Sequence, residues 1–368
     1  MAAATPMSSS EPTVIVQAEG TLGRIRLNRP KALNSLTLEM VRQIAEALDH
    51  FEKDARIAAV LVTGEGDRGL CAGGDVRAIY ESGRGDGSLA LAFWREEYIL
   101  NSRIAHFGKP YIAVMDGLTM GGGVGLSAHG SLRLVTERTR LAMPETGIGY
   151  FPDVGATWLL SHAPGESGTY LGLTGEPIGA ADAIFSGLAD LCVPSANIAA
   201  LISALATSPA KANLSSIKLI VDRFATTPAP GRLQTHRNEI DTILAADDVE
   251  TIFLRLRDAD TQFPASIEAS LRAKSPLSLK LTLRLLRLGR TSQNLEVCLD
   301  REFAADHKIL LSPDFYEGIR AAVIDKDRQP QWSAHQSSDV TDEMIDTYLA
   351  PIRDPIFGPQ SSIKRGIA

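Results

Sequence analysis

Cysteine is scarce: three thiols, Cys71, Cys192 and Cys298, in 368 residues. Their number is odd and their spacing fits no CxxC or zinc pattern, so neither a disulfide framework nor a structural zinc site is expected. A reducing cytoplasm is the simplest setting for them. Long apolar runs are also missing; none reaches the roughly 20 residues that span a bilayer. The first residues are small and polar, with no basic stretch leading into an apolar one, so no secretory signal is expected and residues 1–11 read as a mobile tail. Basic excess is lacking too. With a net charge of −7, nothing global attracts nucleic acid or an anionic membrane. What is present is a globular composition, 44% apolar and 22% charged, in a chain long enough for one large domain or two ordinary ones.

Residues 13–18 and 22–28 read as two strands joined by Glu19-Gly20-Thr21. From Leu38, apolar residues recur at Val41, Ile44, Ala45, Leu48 and Phe51, which predicts a helix capped by Thr37. A buried strand is expected over 58–63, then a glycine-rich loop over 64–75 and a helix over 89–105. Strands at 111–115 and 131–136 follow, with Gly121-Gly122-Gly123 between them. Strands alternating with glycine loops and helices predict an α/β architecture with its site at strand ends. After about residue 180 the strand signals fade. Stretches 198–206, 213–224, 236–256 and 266–288 are helix-like, Thr226–Gly231 is a connector, and a last helix-like stretch lies near Met344–Leu349.

Three motifs carry chemistry. Cys71-Ala72-Gly73-Gly74-Asp75 follows a strand, and its small residues let main-chain N–H groups approach a ligand. Met120-Gly121-Gly122-Gly123-Val124-Gly125 stands between a strand and a helix start, where N–H groups stabilise negative charge. Two such loops can aim two donors at one oxygen, an oxyanion hole worth roughly 3–4 kcal/mol per donor in the transition state. The third runs from Met143 to Gly155 and holds two carboxylates, Glu145 and Asp153, eight residues apart among apolar residues and glycines. Such surroundings raise a carboxyl pKa and suit acid–base work. Alone, the first motif has a plainer reading as a tight loop, and the third as two acids that cap a helix and a turn.

Together and in this order they resemble the crotonase superfamily over roughly residues 12–205. Asn28-Arg29-Pro30-Lys31-Ala32-Leu33-Asn34-Ser35-Leu36 is similar to that superfamily's first signature, near the coenzyme-A adenine. The resemblance implies a spiral of ββα units as the catalytic core (12–205) and a mostly helical C-terminal region (206–368). It implies that the N–H groups of Gly74 and Gly122 stabilise the oxyanion of an acyl-CoA. Lys31, Ala32 and Ala72 become candidate contacts to the CoA part of the substrate. No separate cofactor and no metal are implied. Relatives are often trimers or pairs of trimers, so a homo-oligomer is an open expectation.

Within the superfamily, enoyl-CoA hydratases use two glutamates, and the first falls where this chain has Gly125. Phe151-Pro152-Asp153-Val154-Gly155 instead is similar to the hydroxyisobutyryl-CoA hydrolase branch. So is Phe93-Trp94-Arg95-Glu96-Glu97-Tyr98, whose Glu97 corresponds to a substrate-contacting glutamate. Ser312–Ala321, Asp325-Lys326-Asp327 and Pro330-Gln331-Trp332 extend that likeness almost to the end of the chain. Ala156-Thr157-Trp158 departs from it, standing where the branch commonly has glycines and an aromatic, beside the acyl pocket. The resemblance implies hydrolysis of a short 3-hydroxyacyl-CoA thioester, with Glu145 as nucleophile or general base, Asp153 as a catalytic-site acid that holds the 3-hydroxyl of the acyl group or helps position the water, and Glu97 doing similar polar work at the other side of the pocket. The alternatives are a hydratase or isomerase, and a binder of acyl-CoA without chemistry.

Other patterns point elsewhere and are weaker. Gly64-Glu65-Gly66-Asp67-Arg68-Gly69 matches GxGxxG, but a dinucleotide site needs a helix to open there. Gly125-Leu126-Ser127-Ala128-His129-Gly130 is one residue too long for a nucleophile elbow, and Ser127 and His129 are too close in sequence to face each other. Cys71 reads as a small buried filler.

Overall fold

A computed structural model describes residues 11–259 and 261–358; apart from Glu11, the expected N-terminal tail lies outside the described residues. Among the described residues, nine strands form two sheets. The strands are β1 (Val14–Glu19), β2 (Leu22–Leu27), β3 (Ala59–Gly64), β4 (Gly69–Cys71), β5 (Tyr111–Met115), β6 (Leu118–Met120), β7 (Leu132–Val135), β8 (Arg140–Ala142) and β9 (Leu191–Cys192). The large sheet has the order β1-β2-β3-β5-β7-β9 and the small one β4-β6-β8. β1 and β2 form an antiparallel hairpin; the other pairs are parallel. Each turn of the chain gives one strand to each sheet: β3 then β4, β5 then β6, β7 then β8. That is the expected α/β spiral.

The central strands of the large sheet are buried on both faces. Val60 and Val62 of β3 and Ala113 of β5 face one apolar cluster. Their neighbours Ala59, Leu61, Ile112 and Val114 face a second. A strand covered on both faces reads as an unbroken apolar run, which is what 58–63 and 111–115 show. The helices Ile198–Ala206 and Leu214–Asp222 cover the second face with Leu201, Leu205, Ile217 and Val221.

Two helices matter most for the site. Helix Ser88–Ala105 buries Phe93, Trp94, Glu97, Tyr98 and Asn101 on one side. Helix Leu295–Ile309 turns Leu299, Glu302, Phe303, Asp306 and Ile309 inward. They pack through Tyr98 and Phe303, whose ring centroids lie 6.4 Å apart, and Ser102 Oγ donates to Glu296 Oε1 at 2.7 Å.

The expected helix at Leu38 runs to Lys53, and Thr37 accepts from the Met40 amide. Two expected helical stretches are broken. Residues 236–256 divide into Arg237–Leu244 and Val249–Asp258, because the Asp248 side chain caps a new start. Residues 266–288 divide into Gln262–Arg272 and Pro276–Gly289, where Ser275 caps and Pro276 takes the first turn. Caps interrupt a helix that periodicity alone continues. The last expected helix is Asp342–Tyr348. Among the described residues, no helix is long and apolar enough to cross a membrane, and no group of three or more His, Cys, Asp or Glu is placed to hold a metal ion.

Candidate active site

The three sequence motifs begin at the C-terminal ends of β4, β6 and β8. These strands are adjacent and parallel, so loops far apart in sequence leave neighbouring strands about 4.8 Å apart on the same side. A cavity of about 530 Å³ opens there, lined by Gly74, Gly122, Glu97, Glu145 and Asp153 together with Ala32 and Ala72. Its size suits a small-molecule site. Lys31 is exposed beside Ala32 and does not line the cavity.

Gly73 turns the first loop at φ +105°, a conformation that side chains resist. Asp75 N donates back to Leu36 O, and Ala72 N to Leu33 O. These bonds tie the first loop to the Pro30–Leu36 segment. Among the described residues, no main-chain carbonyl accepts from the N–H of Gly74 or of Gly122. A Cβ added at Gly122 would stand 2.5 Å from Glu97 Oε1 and 3.4 Å from Gly74 N. Two free amides and a carboxylate therefore converge on one spot, and only glycine at 122 leaves room there.

Glu145 opens a short 3₁₀ turn, Glu145–Ile148, and is 6% exposed. Its Oε2 has no hydrogen-bond partner. A Cβ at Gly121 would come within 2.9 Å of its Oε1, so the carboxyl lies against the second glycine loop. Burial, then the charge of Asp153, holds the Glu145 pKa well above the usual range. Glu97 is 1% exposed and its Oε1 is likewise unpartnered. Burial pushes its pKa up, helped by Asp153, Asp306 and Glu145. Asp153 is held differently: its Oδ2 accepts from Tyr98 Oη at 2.9 Å and from Tyr150 Oη at 3.1 Å. Burial raises it, the two phenols oppose that, and it comes to about 6.

The loop carrying Asp153 is strained. Val154 sits at φ +54°, a left-handed conformation unusual for a β-branched residue and costing about 1–3 kcal/mol. Bonds on both sides hold it. His129 Nε2 lies 2.8 Å from Val154 O. Burial depresses the His129 pKa to about 4, so the ring is neutral and Nε2 carries the donated proton. On the other side, Gly155 N donates to Glu302 Oε2 at 2.7 Å and Thr157 N to Glu302 Oε1 at 3.1 Å.

Sequence reading missed Tyr98, Tyr150, Glu302 and Asp306. Tyr150 Oη donates to or accepts from Asp306 Oδ1 at 2.6 Å. A signal existed for the two acids: they stand four residues apart, in phase with Leu295, Leu299 and Ile309 on the apolar face of one helix.

The weaker patterns dissolve. No helix opens after Gly64; the chain passes through a loop to β4. Ser127 Oγ bonds the Gly123 carbonyl one turn back at 2.7 Å, and His129 faces Val154 instead. Cys71 is fully buried and its thiol is pushed up to about 12.

Residues 22–349 match the model of the enoyl-CoA hydratase/isomerase family. The chain belongs to that family. A curated relative, the mitochondrial 3-hydroxyisobutyryl-CoA hydrolase of Xenopus tropicalis, is 40% identical over 337 residues, 90% of this chain and 87% of its own length. A solved structure titled as a carnitinyl-CoA dehydratase, from Mycobacterium thermoresistibile, is 41% identical with a TM-score of 0.89, covering 94% of this chain and 98% of that one. Another, titled as an enoyl-CoA hydratase from Rhodobacter sphaeroides 2.4.1, is 40% identical with a TM-score of 0.84, covering 93% and 98%. Family members this similar thus carry names from two reaction classes, hydrolysis and hydration. Position 125 bears directly on which class this site suits. A Cβ at Gly125 would lie 2.8 Å from Asn101 Nδ2 and 2.8 Å from Val154 Cβ. The space a second glutamate would need is filled.

Proposed function

We propose that this family member hydrolyses a short 3-hydroxyacyl-CoA thioester, 3-hydroxyisobutyryl-CoA first of all, to the hydroxy acid and CoA, a step of valine degradation. One observation carries the reading. Glu145 stands with an unpartnered oxygen in the cavity that Gly74 and Gly122 also line, while position 125 is closed to a second carboxylate. Adding water across a double bond calls on two carboxylates at these positions; opening a thioester calls on one. The hydrolase name of the 40%-identical relatives agrees.

In this reading the thioester oxygen lies between the N–H groups of Gly74 and Gly122, and charge develops there as the carbonyl carbon becomes tetrahedral. Glu145 either attacks that carbon, expelling the CoA thiolate and leaving an anhydride that water opens, or takes a proton from the water that attacks directly. Both routes yield acid and thiol. Water enriched in ¹⁸O separates them, since only the anhydride route puts label into the Glu145 carboxyl when water attacks on the enzyme side. Asp153, held as an acceptor by two phenols, takes the 3-hydroxyl of the acyl group, and Glu97 lies on the other side. A site built to bond a hydroxyl rejects the analogue that lacks it. We assign the CoA part to Ala32 and Ala72, which line the cavity, and to the exposed Lys31 beside them. We place the enzyme in the cytoplasm on the ground of its three buried, unpaired thiols; the curated relatives carry a mitochondrial label.

The test is free-thiol release across short acyl-CoAs, run beside a hydration assay on an enoyl-CoA. The expected result is fast thiol release from 3-hydroxyisobutyryl-CoA and no hydration. Hydration without thiol release would overturn the proposal, and so would tight acyl-CoA binding with neither activity.

A further inference from the structure

Behind the cavity four buried groups form a chain: Tyr98, Asp153, Tyr150 and Asp306. Three short oxygen–oxygen contacts link them: Tyr98 to Asp153 Oδ2 at 2.9 Å, Tyr150 to the same Oδ2 at 3.1 Å, and Tyr150 to Asp306 Oδ1 at 2.6 Å; the two phenol oxygens lie 3.4 Å from each other. All four side chains are at most 5% exposed, so these contacts are made among the groups themselves. Each of the three short contacts needs one proton, while the phenol–phenol contact lies beyond the usual O–H···O range and needs none. Two phenols bring two, and the third has to come from an aspartic acid. The pair Asp153 and Asp306 therefore carries one proton and one negative charge.

Geometry says where each resides. Asp153 Oδ2 has two phenol oxygens within bonding distance, the setting of an anion, and hydrogen bonds to a charged acceptor are the stronger ones. Asp306 has one short contact, to Tyr150, with Tyr98 near but not in bonding geometry, and its Oδ2 has no partner, which an ionised carboxylate buried at 0% exposure would tolerate poorly. We infer that Asp306 is a neutral carboxylic acid that donates to Tyr150, so that Tyr150 and Tyr98 both turn their protons onto Asp153 and hold it as the single anion. Asp306 is then a positioning residue for the acyl contact; this rests on the reading of Asp153 given above. The groups facing Asp306 agree: Tyr98 from one helix, Tyr150 and Asp153 from the loop after β8, and Glu302 one turn back on its own helix, with Glu97 close enough to repel a second charge. Burial and the Asp153 charge both push Asp306 toward its protonated form. The Tyr150 ring is itself fixed, stacked on Trp94 at 5.8 Å and against Phe315 at 5.7 Å.

The experiment has a spectroscopic and a kinetic arm. Infrared difference spectra of wild type minus Asp306→Asn, at neutral pH and without substrate, should show loss of one protonated-carboxyl C=O band that shifts in D₂O. In Tyr150→Phe the band should persist and move to higher frequency, since the acid loses its acceptor. This second variant keeps the test open should the first fold poorly. Kinetically, Asp306→Leu should lower kcat/KM for the 3-hydroxyacyl thioester roughly tenfold or more, the scale of a hydrogen bond to a charged group. Asp306→Asn, uncharged but still a donor, should recover most of that loss. Loss of a carboxylate band in place of a C=O band, or an Asn variant as impaired as the Leu variant, overturns the inference. The infrared arm needs no substrate. A wild-type enzyme that releases no thiol defeats the proposed function while leaving the proton assignment standing or falling by itself.

Discussion

Glu97, Glu145, Asp153, Glu302 and Asp306 are five carboxyls, each at most 6% exposed, gathered in one region. Their partners are phenols, one threonine hydroxyl and main-chain amides, and Glu97 Oε1 and Glu145 Oε2 have none. Such a group cannot be fully ionised in a low-dielectric interior, because each added charge repels the rest. Protons are therefore shared, and the residue whose ionised form does the work feels its neighbours. In the proposed reaction Glu145 is base or nucleophile only when ionised, and burial plus the Asp153 charge raises its pKa. The acid limb of the kcat/KM–pH profile is expected above the ~4.3 of a free glutamate. Asp153→Asn removes the repelling charge and should move that limb to lower pH. A profile unmoved by this substitution would show that the two acids do not communicate.

At the scale of elements, the site depends on three-residue strands. β4, β6 and β8 align the loops that bear Gly74, Gly122 and Glu145. Close contact between helix Ser88–Ala105 and helix Gly122–Ala128 then sets how near Glu97 comes to Gly122 and Asn101 to Gly125. Gly125→Ala should be destabilising by about 1–3 kcal/mol, the usual cost of overpacking, because its methyl meets Asn101 and the strained Val154 at 2.8 Å. Denaturant unfolding measures this; an unchanged midpoint would mean that the two helices move apart freely. Much of this scale was legible beforehand. The buried strands 59–64 and 111–115 show in unbroken apolar runs, the helix from Leu38 shows in its periodicity, and the glycine loops show in composition. The small sheet does not show, since three residues are too few to display an alternation. Nor do Tyr98 and Tyr150, whose rings read as ordinary core until the fold brings their hydroxyls to Asp153. Glu302 and Asp306 were hidden for the opposite reason: acids are normally assigned to a solvated face, and here the apolar face carries them.

Across the whole molecule, the buried acids leave a mark on stability. Asp153 is raised to about 6 and Glu302 to about 8 from ordinary values of 3.8 and 4.5. A folded-state pKa above the unfolded one means that the folded protein binds more protons within that window. Stability then falls as pH rises through it. This is opposite in sign to a carboxylate held by a salt bridge. The thermal midpoint should decline between pH of about 4.5 and about 8, and Glu302→Gln should decline less steeply, having lost the group that titrates over that range. Equal slopes for the two proteins would mean that Glu302 is ionised in the folded state, held so by Gly155 and Thr157.

Glu145→Gln in the thiol-release assay on 3-hydroxyisobutyryl-CoA puts the account to its most direct trial. Glutamine keeps the size and the fold but neither attacks a thioester nor removes a proton from water. A fall in kcat of at least about a hundredfold, the scale of a lost general base, with KM little changed, is the expected result. Turnover close to that of the unaltered enzyme would contradict the claim that one glutamate, sharing a cavity with Gly74 and Gly122, opens the acyl bond.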